Sequence, residues 1–107
     1  MNDLEKNLHI NLLLDFYGSL LTDKQVEIMN LYYHEDLSLA EIAEQLNISR
    51  NAVHDHINRS IKILENYEEK LNLLQKFNLR SKLYEDFRKV NGVEEINEII
   101  NQLEELE

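Results

Sequence analysis

The stretch SLAEIAEQLNISRNAVHDHINRSIKIL, residues 38–64, reads as two helices joined by a tight turn. Ser38 followed by Glu41 is a capping box, in which hydroxyl and carboxylate satisfy backbone amides that a helix start leaves without partners. Behind it, Ile42, Ala43 and Leu46 recur at helical spacing and turn inward. A sharp turn is expected at Asn47 and Ile48, because asparagine tolerates the left-handed backbone conformation better than most residues. Ser49 then caps a second helix, whose Val53, Ile57, Ile61 and Leu64, at spacings of four, four and three, define a buried stripe. Ala43 is small where two helices cross closely, and Ile42, Leu46, Ile48, Val53 and Ile57 form the wedge between them. Together these features specify a helix-turn-helix.

Upstream, Thr22 and Gln25 repeat the capping-box pattern and open a helix carrying Val26, Ile28, Met29, Leu31 and Tyr32 as far as Tyr33, with residues 34–36 as a polar connection. Before it, Leu4, Leu8, Leu12 and Phe16, with their neighbours Ile10, Leu13 and Leu14, predict a first helix that Gly18 ends in the left-handed conformation. Its apolar face is wide enough either to serve the protein's own core, the first choice, or to bury a partner subunit. Downstream, no breaker interrupts ENYEEKLNLLQKF, residues 65–77, so a long helix or two in line are expected. Ser81 offers a restart, Leu83, Tyr84, Phe87 and Val90 an apolar face, and Asn91-Gly92 an end. The last helix carries Val93, Ile96, Ile99, Ile100, Leu103 and Leu106. With no proline and two glycines the fold class is all-α: a small helical bundle containing the helix-turn-helix, with a long helix and C-terminal helices. The 107 residues are read as a single domain, with the helix-turn-helix at 38–64 and a C-terminal helical extension at 65–107.

The absence of cysteine excludes disulfides, thiolate metal sites and thiol nucleophiles. Early acidic residues and short apolar runs argue against a signal peptide or membrane span, so a cytoplasmic protein without membrane insertion is expected. A net charge of -10 runs against nucleic-acid binding, which concentrates positive charge to replace counterions along phosphates. The charge is unevenly spread, however. Residues 1–37 carry 2 basic and 7 acidic side chains, residues 38–64 carry 3 and 3, and residues 65–107 carry 6 and 11. A basic run ending at Lys89 precedes an acidic tail, read as two solvated faces or as a tail that folds back over a basic surface.

Rotating the second motif helix by about 100° per residue from Val53 puts Asn51, Asp55, Asn58, Arg59 and Lys62 on its outer face, flanked by Arg50 and His54. Arg50, Asn51, His54 and Asn58 are candidates for base edges, while Arg59, Lys62 and the hydroxyls of Ser38 and Ser49 suit phosphates. Asp55 fits such a surface only by accepting a cytosine amino proton or by pairing with Arg59 one turn on. The alternative is that these are ordinary solvated residues on a repurposed helix-turn-helix.

Residues 11–71, NLLLDFYGSLLTDKQVEIMNLYYHEDLSLAEIAEQLNISRNAVHDHINRSIKILENYEEKL, resemble the YlxM-like family of helix-turn-helix DNA-binding proteins. DFYGSLLT, residues 15–22, is the more discriminating part. The run from Leu21-Thr22 to SRNAV, with the spaced Ile57 and Ile61, is similar to the promoter-reading fourth region of bacterial sigma factors. That likeness implies contacts from Ser49, Arg50, Asn51 and His54, although sigma factors carry more arginine and lysine on this helix. The family resemblance further implies a link to the signal recognition particle, through its GTPase or its RNA.

Other chemistry finds little support. His54, Asp55 and His56 diverge around a helix and cannot converge on one metal ion, and His9 and His34 have no partner at ligand spacing. No Ser-His-Asp order or glycine-rich phosphate loop is present, so neither an enzyme nor a bound cofactor is expected. The sequence-level expectation is a DNA-binding regulatory protein, as monomer or homodimer, linked to the signal recognition particle pathway. The alternative is a protein- or RNA-interaction regulator of the particle's GTPase that reads no DNA sequence.

Overall fold

A computed structural model describes residues 1–90 and 92–107 and contains, among them, six α-helices and one short 3-10 turn, with no strand. Asn91, expected to help end a helix, lies outside the described residues. The chain divides into two compact units, Met1–Leu71 and Asn72–Glu107. The first holds α1 (Asp3–Tyr17), the 3-10 turn Gly18–Leu20, α2 (Asp23–Tyr33), α3 (Leu39–Leu46) and α4 (Arg50–Leu71). The second holds α5 (Leu73–Arg88) and α6 (Val93–Glu105).

Each start in the first unit is chemically marked. The Asn2 side chain accepts from the Glu5 amide at 2.8 Å and caps α1, a signal the sequence reading passed over. Thr22 with Gln25 and Ser38 with Glu41 form complete capping boxes for α2 and α3. After α3, Asn47 adopts φ 55°, ψ 47°, as its residue type allows. The Ile48 amide donates to the Ala43 carbonyl at 3.0 Å and the Asn47 amide to that of Glu44 at 3.3 Å, which is a Schellman closure. Asp36, behind α2, is also left-handed at φ 57°.

These turns deliver four helices to one core. Leu13, Ile28, Met29, Ile42, Val53 and Leu64 are fully buried, and α4 packs against α1, α2 and α3. In the expected wedge Ile42, Val53 and Ile57 are buried, whereas Leu46 and Ile48 are half-buried at the motif's edge. Ser60 is the buried polar side chain of the stripe; its hydroxyl donates to the His56 carbonyl at 2.7 Å and so carries its own partner into the core.

The first helix differs from expectation. Its buried set is Ile10, Leu13, Leu14 and Tyr17, while Leu4 and Leu8 are 79% and 60% exposed. The reason lies on α4. The Tyr17 hydroxyl donates to Glu68 Oε1 at 2.7 Å, the Tyr17 ring stacks on Tyr67 with centroids 6.0 Å apart, and His9 Nε2 lies 2.9 Å from Glu65 Oε1. Those partners rotate the Ile10–Tyr17 stripe inward. Gly18 is not left-handed: at φ -57° it continues into the 3-10 turn, and the chain becomes extended at Leu21 and Thr22 instead.

The second motif helix runs past Leu64 to Leu71 and stops because Asn72 takes φ 56°. The restart therefore falls at Leu73, and α5 passes through Ser81 without interruption. In the second unit Leu83 of α5 and Ile99 of α6 are buried and the two helices pack together, with Ile96, Leu103 and Val90 half-buried. Tyr84, Phe87, Val93 and Ile100, expected on apolar faces, are exposed.

Candidate nucleic-acid interface

The geometry of the candidate surface follows from the Schellman turn. By reversing the chain in two residues it sets the start of α4 beside the start of α3, so Arg50, Asn51 and His54 line a shallow depression of about 350 Å³ together with Leu39. Ser49 accepts from the Ala52 amide at 3.0 Å and fixes the first turn of α4. Val53, Ile57, Ser60 and Leu64 hold the opposite side in the core. Every candidate on the outer side (Arg50, Asn51, His54, Asn58, Arg59 and Lys62) is exposed.

These residues fall into two ridges, Arg50–His54–Asn58–Lys62 and Asn51–Asp55–Arg59, because positions four apart stack along a helix. The structure joins two of them directly: the Asn58 amide nitrogen lies 3.3 Å from His54 Nδ1. Arg50 and Lys62 are separated by twelve residues of continuous helix, or about 18 Å of rise.

Two expectations change in detail. Ser38 and Ser49 are exposed, but their oxygens already accept cap hydrogen bonds, from the amides of Glu41 at 3.1 Å and Ala52 at 3.0 Å. What each has left for a phosphate is its O–H donor. Among the described residues, Asp55 makes no ion pair with Arg59. The pairing proposed to neutralise Asp55 is therefore not formed, and its carboxylate sits open between Asn51 and Arg59.

Glu41 is the ionisable group most strongly tied to the motif's architecture. The Ser38 backbone amide donates to its Oε1 at 3.0 Å, and this bond, with a smaller contribution from the Ser38 hydroxyl, holds its carboxyl below the usual carboxylate range. A carboxyl whose folded pKa is depressed stabilises the fold above its ordinary pKa, and that contribution disappears as pH falls through the folded value. Glu41→Gln, which keeps an acceptor for the Ser38 amide but removes the titrating carboxylate, is thus expected to destabilise the protein near neutral pH. The gap from wild type should narrow in acid; urea unfolding of both proteins across the carboxylate range checks this.

Among the described residues there is no group of three or more His, Asp or Glu side chains that could hold a metal ion. None of their helices is long and apolar enough to cross a membrane. Sequence reasoning missed the His9–Glu65 and Tyr17–Glu68 contacts, which join residues 56 and 51 positions apart and leave no local signal.

Comparison with known proteins supports the helical reading. Residues 4–106 match the model of the family UPF0122, described as "Putative helix-turn-helix protein, YlxM / p13 like". The chain is similar to a UPF0122 protein of Bacillus licheniformis, 50% identical over 97% of this chain and 98% of the relative. A Bacillus cereus UPF0122 protein is 52% identical over 95% and 94%. The UPF0122 protein YofM of Lactococcus lactis is 46% identical over 98% and 93%.

Proposed function

Since the chain belongs to the UPF0122 family of YlxM/p13-like helix-turn-helix proteins, we propose that it is a DNA-binding regulatory protein that lays α4 in a major groove. The observation that carries this reading is the exposed ridge Arg50–His54–Asn58–Lys62, held outward by the burial of Ile42, Val53 and Ile57 in the α3–turn–α4 unit. Arg50, Asn51, His54 and Asn58 meet base edges near the start of the helix, and Arg59, Lys62, Ser38 and Ser49 contact the backbone. In this reading the motif works as the fourth region of sigma factors does, in the cytoplasm and, as a homodimer, on half-sites about 34 Å apart.

A second reading is favoured by the net charge of -10: the motif acts as a protein or RNA contact within the signal recognition particle pathway, on the GTPase or its RNA. One experiment separates the two. The purified protein is offered genomic DNA fragments and the particle's components side by side, at low and at physiological salt. Salt-sensitive enrichment of particular DNA sequences supports the first reading. Capture of the particle components alone overturns it in favour of the second.

A further inference from the structure

The first unit carries a groove remote in character from the basic ridge. It lies between the N-terminal turns of α1, the end of α2 and the middle of α4, with a volume of about 670 Å³, within the range of sites that hold ligands. Ile10, Tyr32, Tyr33 and Ile61 give it an apolar floor, and Asp3 and Glu65 stand on its rim. A second depression of about 290 Å³ shares the two tyrosines and adds Asp36 and Glu41. The facing cations are Lys6 and the Met1 ammonium group, while His9 is engaged with Glu65 at 2.9 Å. Four carboxylates therefore line an apolar, aromatic floor with two cations against them.

The two tyrosines are packed edge to face, with centroids 4.9 Å apart at 82°, and both are half-buried. Such rings present negative faces to a cation. Burial, reinforced by Tyr32, pushes the Tyr33 phenol above its usual range. Phosphate is repelled by this rim. A second copy of the chain would bring its own charge of -10.

We propose that the groove is a docking site for a basic, amphipathic peptide segment of a partner protein, with an apolar side chain on Ile10 and Ile61 and Lys or Arg side chains between the rim carboxylates. The groove adjoins Ser38 at the start of α3, but Asp36 and Glu65 lie outside the residues assigned to DNA.

The test uses the full chain and a fluorescently labelled helix-forming lysine–leucine peptide, with a glutamate–leucine peptide as control, read by anisotropy. Asp36→Asn with Glu65→Gln removes two groove charges; Asn keeps the left-handed turn accessible, and Gln still accepts a hydrogen bond from His9. Glu94→Gln with Glu98→Gln removes two charges from α6, changing net charge equally. The groove pair is expected to weaken the basic peptide about tenfold and the α6 pair less than about twofold. Equal weakening by both pairs, equal binding of the acidic peptide, or no binding of the basic one overturns the proposal. So does sedimentation showing a dimer that the groove pair dissolves, since a second copy would then be the occupant. Circular dichroism monitors folding, and DNA capture by the groove pair should be undiminished. Loss of DNA binding with peptide binding intact would sink only the nucleic-acid reading.

Discussion

Changing Arg50, Arg59 and Lys62 together to alanine should reduce DNA binding by roughly a hundredfold or more and flatten its salt dependence. Each side chain is exposed on α4, and the three are all the Lys and Arg that residues 38–64 contain. A hydrogen bond to a charged group contributes about 1.5–3 kcal/mol; discounted to ~1 kcal/mol for solvent exposure, three of them amount to roughly two powers of ten. The logarithmic salt slope should fall by about 0.9 for each phosphate contact removed. Titrations of wild type and variant against one duplex at several salt concentrations supply both quantities. The open Asp55 carboxylate sharpens the test. If α4 approaches phosphates, Asp55→Asn should strengthen binding non-specifically; if Asp55 accepts from a cytosine, the same change should weaken binding to one sequence and leave others unaltered. A triple variant that binds as wild type does would remove α4 as the interface.

What could be read from the residues alone divides by range. Capping boxes at Thr22 and Ser38, the left-handed Asn47 and the outward rotation of Arg50 to Lys62 all depend on residues within one or two turns, and each appears as expected. The apolar face of α1 could not be assigned this way. Leu4–Leu8–Leu12–Phe16 and Ile10–Leu13–Leu14–Tyr17 both satisfy a helical period, and the choice is made by Glu65, Tyr67 and Glu68 more than forty residues away. Asn72 escaped notice for a related reason. Flanked by leucines in a run without glycine or proline, it looks like one more helical residue, yet asparagine takes φ 56° at modest cost and ends α4. At the site, the candidate surface was legible but not its charge balance: spacing allowed Asp55 and Arg59 to pair, and spacing cannot say whether two exposed side chains surrender their freedom to do so.

The competing stripes of α1 yield the other large effect. Leu13→Ala should destabilise the protein by about 2–5 kcal/mol, because Leu13 is fully buried and its loss leaves a cavity that the surrounding helices close only in part. Ile42→Ala, at the equally buried centre of the motif wedge, should cost a similar amount. Against a total stability of about 5–15 kcal/mol, either change moves the unfolding midpoint well outside measurement error. Leu4→Ala, at 79% exposure, should remain within about 0.5 kcal/mol of wild type. Urea titrations of the three variants, followed by circular dichroism, give the comparison. A Leu4→Ala protein as unstable as Leu13→Ala would mean that the outer stripe of α1 is covered in solution, and self-association measured across protein concentration would then have to account for the cover. Near-neutral Leu4→Ala with severe Leu13→Ala would instead tie the stability of α1 to its buried set, Ile10, Leu13, Leu14 and Tyr17, and leave its exposed leucines without a share in it.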